Sequence, residues 1–128
     1  MIRFAKSSLL ITATVAAALS ACGGSTTSSA PTTAITADLK VDAISGLRLD
    51  KPQYTATAGE ISVAYVNEDT IRHTLVVVKD GNVISGFTLK VNQKGDVDTG
   101  QITLQPGKYV LMCTVPGHQN MKADLTVE

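Results

Sequence analysis

The sequence is poor in several residue types on which whole functional classes depend. Its 128 residues contain no tryptophan, two cysteines and two histidines. Two cysteines cannot build a disulfide framework, and two histidines are too few for a site that needs many imidazoles. The formal net charge is zero, so no excess of Lys and Arg favours nucleic acid as a partner. We therefore expect no nucleic-acid binding.

The N-terminal segment has the features of an export signal. Arg3 and Lys6 precede an apolar, alanine-rich stretch that ends in small residues, and this order is typical of a secretory signal peptide. The stretch from Leu19 to Gly23, with Cys22 directly after the small residues, resembles the lipobox of bacterial lipoproteins. The resemblance implies cleavage after residue 21 and acylation of Cys22. An ordinary cleavage site with an incidental cysteine is the alternative.

The segment that follows is predicted to be a tether. Seven of the thirteen residues 22–34 are Ser or Thr, and none is large and apolar. Such a segment cannot bury enough apolar surface to offset the entropy of ordering it. We therefore expect a lipoprotein signal peptide over residues 1–21, an acylated cysteine with a flexible tether over 22–34, and one folded domain over 35–128.

The folded part is predicted to be all-β. From residue 35 onward, short runs rich in β-branched residues alternate with turn residues, and no long helical periodicity appears. Strands are predicted over residues 37–44, 53–57, 61–66, 74–78, 86–91, 98–104, 108–113 and 121–127. About seven to eight short strands at this spacing favour a sandwich or a barrel.

A set of metal-ligating residues lies near the C-terminus. Cys113, His118 and Met121 fall within nine residues, and His73 is the other histidine of the chain. One thiolate and two imidazoles with a weak axial thioether are the ligands of copper in electron-transfer sites. The residue types therefore predict one copper ion, whereas zinc on His73, Cys113 and His118 would be redox-silent.

The run Cys-Thr-Val-Pro-Gly-His over residues 113–118, preceded by Leu-Gln-Pro-Gly-Lys-Tyr over 104–109, resembles the C-terminal ligand loop of the cupredoxins, the small blue copper proteins. Residues 67–73 resemble the family's upstream segment, which brings the first histidine. The resemblance covers roughly residues 53–128 and implies a Greek-key β-sandwich that carries single electrons. Carried over by position, it implies that His73, Cys113, His118 and Met121 hold the copper.

Two positions depart from the family's pattern. Two residues separate His118 from Met121, where azurin-like loops place three and plastocyanin-like loops four. Gln119 or a backbone carbonyl is therefore an alternative axial ligand, and Met121 is alternatively a core residue. Thr74 stands where many relatives carry an asparagine that braces the ligand loop, a role that Thr70 or Thr114 could share.

The expected function is one-electron transfer outside the cytoplasmic membrane by a lipid-anchored, monomeric type 1 copper protein. The anchor would hold it to the periplasmic or cell-surface side of a bacterial membrane. The expected partners are a cytochrome, a quinol-oxidising complex or a terminal oxidase. They would meet the edge of His118, which Val115 and Pro116 surround with a small apolar patch. We expect no enzyme, because no further histidine remains for a second metal centre and no carboxylate is placed to orient His118 for nucleophilic catalysis.

Two other functions remain open from the sequence. A copper carrier or chaperone without a redox role would use the same ligands and differ in how readily it releases the metal. A degenerate cupredoxin that serves only as a binding module is the weaker possibility, because the ligand set is complete.

Overall fold

The computed structural model describes residues 35–128, which form ten β-strands. These are β1 Leu39–Ile44, β2 Arg48–Leu49, β3 Gln53–Ala56, β4 Gly59–Asn67, β5 His73–Lys79, β6 Asn82–Val83, β7 Leu89–Val91, β8 Val97–Leu104, β9 Gly107–Met112 and β10 Lys122–Val127. All eight predicted strands are present. The two-residue strands β2 and β6 are additional, and β7 is shorter than predicted because Gly86 adopts a φ of +86° in a turn.

The strands form two sheets that pack as a sandwich. One sheet has the order β2-β1-β4-β8, and the other has the order β3-β10-β9-β5-β6, with β7 paired to β5. Strand β1 lies parallel to β4 and β3 parallel to β10, whereas the other pairs are antiparallel. One continuous hydrophobic cluster contains side chains from both sheets. The prediction of an all-β sandwich is therefore confirmed. Within residues 35–128, no helix is long and apolar enough to span a membrane.

The sheets approach closely where Gly100 of β8 faces β7. A Cβ atom at this position would lie 3.0 Å from Leu89 Cδ2 and 3.3 Å from Phe87 Cε2. Both neighbours are buried, so the missing side chain of Gly100 leaves room for them in the core. This packing sets β7, which pairs with β5, against β8 of the other sheet.

Strands β9 and β10 show the alternation of a half-buried hairpin. Tyr109 and Leu111 point into the core from β9, as Ala123 and Leu125 do from β10, and the outward residues between them are more exposed. The pairing of Leu111 with Ala123 continues toward the loop that joins the strands. The same inward face therefore leads into Cys113 at the end of β9.

Two core tyrosines differ in what their hydroxyl groups contact. The Tyr109 hydroxyl donates a hydrogen bond to the Gln105 carbonyl at 2.8 Å. Tyr65 is fully buried, and its hydroxyl oxygen has no hydrogen-bond partner among the described residues. Burial, with a smaller contribution from the nearby Cys113, raises the pKa of Tyr65. The Tyr65 phenol is therefore a neutral, unpaired polar group in the core.

Replacing Tyr65 by Phe is expected to leave the free energy of unfolding unchanged or to raise it by up to about 1 kcal/mol, because an unpaired buried hydroxyl is destabilising. Tyr109→Phe is the matched control. It is expected to lower the free energy of unfolding by about 1 kcal/mol, because the hydrogen bond of the Tyr109 hydroxyl is lost. Urea unfolding of the metal-free protein measures both changes. An equal loss in both variants would show that the Tyr65 hydroxyl is paired after all.

Candidate metal centre

The pairing of β5 with β9 brings distant parts of the sequence together at one end of the sandwich. Val76 pairs with Met112 in this antiparallel ladder, so the start of β5 lies beside the end of β9. His73 is the first residue of β5, and Cys113 directly follows β9. His118 lies on the loop between β9 and β10, and Met121 directly precedes β10.

Three of the predicted ligands converge. One nitrogen from each of His73 and His118 and the sulfur of Cys113 all lie within 4.8 Å of one another. Cys113 Sγ is 3.6 Å from His118 Nδ1, and the two imidazole centroids are 5.1 Å apart. His73 and Cys113 are each 1% exposed, whereas His118 is half-buried. The donor atoms therefore surround one small volume whose floor is closed to solvent.

The orientation of His73 is set by a carboxylate that the sequence analysis missed. His73 Nε2 lies 3.2 Å from Asp69 Oδ2, and the Thr70 N–H donates to Asp69 Oδ1 at 2.7 Å. The bond from Thr70, together with His73, holds the pKa of Asp69 below its usual value. An ionised Asp69 accepts the proton of Nε2, which leaves the lone pair on Nδ1.

His73 Nδ1 is the atom left free for a metal. It is buried and has no hydrogen-bond partner among the described residues, an arrangement that is costly unless another ligand meets it. Burial lowers the pKa of His73, against the opposing effect of Asp69, so the ring is neutral at neutral pH. The unpaired, buried Nδ1 of His73 therefore supports metal binding at this site, in addition to the residue types present.

The turn that carries Asp69 is built around Asn67. The Asn67 side-chain oxygen accepts from the Asp69 N–H at 2.9 Å, and its amide nitrogen donates to the Ile71 carbonyl at 2.8 Å. Asn67 is itself fully buried at the end of β4. These bonds fix residues 67–71 as a rigid turn. The one sequence feature that could have predicted this contact is the position of the Asp69 carboxylate four residues before His73. The segment that contains both residues was identified only by its family resemblance.

The loop that carries Cys113 is braced by Thr74. The Thr74 N–H donates to Cys113 Sγ at 3.4 Å, and the Thr74 hydroxyl lies 3.6 Å from the same sulfur. The hydroxyl also accepts from the Thr114 N–H at 2.8 Å and lies 2.9 Å from the Thr114 hydroxyl. Thr74 and Thr114 thus brace the loop together, while the Thr70 backbone bonds to Asp69. At the position where the family resemblance implies an asparagine, Thr74 supplies the bracing with its hydroxyl.

The short gap between His118 and Met121 forms a tight turn. The Met121 N–H donates to the His118 carbonyl at 2.9 Å, and the Cys113 N–H donates to the Met121 carbonyl at 3.0 Å. Met121 is fully buried, whereas Gln119 is exposed. The turn therefore places the methionine on the inner side of the loop, next to Cys113, and turns Gln119 outward.

The donor set fits copper. A thiolate, two imidazoles and a nearby thioether are the ligands of a type 1 copper site, in which soft sulfur donors favour Cu(I) and imidazole suits both oxidation states. Hydrogen bonds with Asp69 and Thr74 hold His73 and Cys113 in place. The residues that the sequence analysis named for copper thus lie together in the fold.

Comparisons with known proteins support the fold. No family model matches the sequence, and no curated protein matches it. Auracyanin from Roseiflexus castenholzii is similar at 26% identity, with a TM-score of 0.62, over 70% of this chain and 95% of that one. The azurin Az-iso2 from Methylomonas sp. strain J shares 15% identity, with a TM-score of 0.58, over 70% of this chain and 95% of that one. The P52G mutant of amicyanin shares 20% identity, with a TM-score of 0.52, over 70% of this chain and 81% of that one. The chain therefore has a cupredoxin-like fold.

Thr74→Val is expected to lower the free energy of unfolding by about 1 kcal/mol, because the Thr114 N–H loses its acceptor. It should also shift the visible thiolate-to-copper absorption, since Cys113 loses a polar neighbour. Denaturation and absorption spectra of the copper-loaded protein measure the two effects. Thr126→Val on β10 is the control, and an equal response in both variants would show that Thr74 does not brace the site.

Proposed function

We propose that the protein is a type 1 blue copper electron carrier, with His73, Cys113 and His118 as the equatorial ligands and Met121 as the axial ligand. The observation that carries the proposal is the convergence of three donor atoms within 4.8 Å at a largely buried position. The inward, buried Met121 on the same loop supports its axial role.

The protein's part in electron transfer is to hold the ligands still. Bound copper supplies a reversible one-electron couple. His73 is fixed by Asp69, and Cys113 by the N–H of Thr74, so neither side chain needs to move when the charge at the site changes. The buried residues keep water from the inner side, and the half-exposed His118 provides a route to the surface. A site that rearranges little exchanges electrons readily.

The comparisons favour a redox function. The auracyanin that is 26% identical to this chain is described in a dithionite-reduced form. The amicyanin is described in a reduced Cu(I) form. Both proteins have the fold found here, which supports, for this chain, cycling between two oxidation states.

Addition of Cu(II) to the metal-free protein is expected to produce intense visible absorption that bleaches on reduction. Cys113→Ser should abolish the colour, because the absorption needs the thiolate. Met121→Leu should retain the colour and raise the reduction potential, since losing an axial electron-pair donor to an apolar side chain disfavours the more highly charged Cu(II). A colourless wild-type product would contradict the assignment, and an unchanged potential in Met121→Leu would remove Met121 from the ligand set.

Copper handling is the alternative function. A carrier or chaperone must release its metal readily, whereas His73 and Cys113 are buried and held by hydrogen bonds. This burial favours retention of the metal and therefore electron transfer. Transfer of copper to a competing chelator measures the difference, because rapid release would favour the carrier.

We further propose that the protein is exported and held to a bacterial membrane by acylated Cys22, with a cytochrome, a quinol-oxidising complex or a terminal oxidase as its partner. Cys22 and the predicted signal peptide and tether lie outside the described residues, so the support is the lipobox-like sequence. The folded domain would act as a monomer at the end of its tether.

The full chain expressed in a bacterium with labelled fatty acid should incorporate the label and fractionate with membranes. Cys22→Ser should lose both properties, because the acylated thiol is removed. Cys113→Ser, which changes the other cysteine of the chain, is the control and should retain the label. Labelling that survives in Cys22→Ser would contradict the anchor.

A further inference from the structure

A groove beside the metal centre carries positive charge. It has a volume of about 270 Å³, and its lining includes Arg72, Lys90, Thr114 and Pro116, together with Thr74 and His73. Arg72 and Lys90 are exposed, and the described residues that line the groove include no carboxylate. The groove is therefore a small concave surface with two cations on it.

The placement of Lys90 follows from strand pairing. Lys90 lies directly opposite Thr74 in the antiparallel pair of β5 and β7, and opposed side chains share one face of a sheet. Its cation is thus held on the face where the Thr74 hydroxyl approaches Cys113. Arg72 lies one residue before β5, next to the same end of the sheet.

Three carboxylates lie near the groove, but none lines it, and among the described residues no salt bridge joins them to Arg72 or Lys90. Asp69 bonds to His73 and to the Thr70 N–H. Asp98 accepts from the Lys90 backbone N–H, and Asp96 from the N–H of Asn92. Residues 35–128 carry nine basic and eleven acidic side chains, so the positive groove runs against the overall balance of the domain.

The floor of the groove reaches the sulfur ligand. Thr114 is exposed and lines the groove, its hydroxyl lies 2.9 Å from that of Thr74, and the latter lies 3.6 Å from Cys113 Sγ. A molecule seated against Thr114 is therefore two short contacts from the thiolate. This route runs through Thr114 and Thr74 rather than through His118, although the groove shares Val115 and Pro116 with the apolar patch expected around that histidine.

We propose that this groove is the docking surface for an acidic redox protein, whose surface carboxylates meet Arg72 and Lys90 and which exchanges one electron with the site, as donor or as acceptor, through Thr114 and Thr74. The inference rests on the proposed electron-carrier function and names the chemistry of the partner. Charge complementarity supplies orientation and a fast approach rather than tight binding, which suits a carrier that must release its partner after each transfer.

The first test uses two small oxidants of opposite charge on the reduced, copper-loaded protein. Hexacyanoferrate(III) and tris(1,10-phenanthroline)cobalt(III) each accept one electron, which the protein loses as its copper becomes Cu(II). The double variant Arg72→Gln/Lys90→Gln is expected to slow oxidation by hexacyanoferrate about three- to tenfold at low salt. Oxidation by the cobalt complex should not slow, and the difference from wild type should shrink as salt is added.

Lys79→Gln/Lys108→Gln is the matched control, because it removes two charges at the ends of β5 and β9 that lie away from His73 and Cys113. This change should alter the hexacyanoferrate rate by less than about twofold. An equal effect of the control and the double variant would overturn the proposal, because net charge alone would then explain the rates. An unchanged rate in the double variant would overturn it as well.

The second test does not depend on electron transfer. Poly-L-glutamate added to the isotope-labelled Cu(I) protein presents carboxylates alone, and the amide resonances of Thr74, Lys90 and Thr114 should shift in wild type but not in the double variant. Shifts confined to other surfaces would overturn the groove as the acidic docking site. If neither oxidant exchanges an electron with wild type, the proposed function fails, and this titration still decides whether the groove binds carboxylates.

Discussion

The backbone pairing of β5 with β9 is the constraint on which the site depends. It places the start of β5, with His73, beside the end of β9, with Cys113, forty positions later in the chain. The Thr74 N–H extends the contact by donating to the Cys113 sulfur. Since the β5–β9 ladder fixes the register, shifting it by one residue would turn His73 away from the core. The site is therefore as rigid as the sandwich that carries it.

The hydrophobic core supports this pairing from below. Leu111 and Leu125 continue the inward face that ends at Cys113, and Leu75 follows His73 on the same face of β5. The metal centre is thus the end layer of the core, in which side chains with donor atoms replace aliphatic ones. This arrangement explains how a domain of 94 described residues without tryptophan can hold two polar ligands almost completely buried.

Strand positions and the ligand set could be predicted from the sequence, because each depends on residue type. Strands appear as short runs of β-branched residues, and copper ligands as a combination of Cys, His and Met. The fold class was predicted correctly, and so was the convergence of His73, Cys113 and His118. Asp69 was missed because its role depends on the turn built by Asn67, which no periodicity reveals. Thr70 or Thr114 was expected to supply part of the bracing, and Thr114 does so together with Thr74. Only the three-dimensional pairing shows that the Thr74 hydroxyl itself meets the loop. The charged groove was also hidden, because Lys90 and Arg72 are far apart in sequence.

Gly100 connects the two sheets to the chemistry at one end of the molecule. Any side chain there would press on Leu89, which pairs with Leu75, while Val91 of the same short strand pairs with His73. A methyl group at position 100 would thus push against β7. Because β7 is paired with β5, the displacement would also reach the strand that carries His73. Ligand geometry at the copper site is in this way mechanically linked to a glycine that contacts none of the ligands.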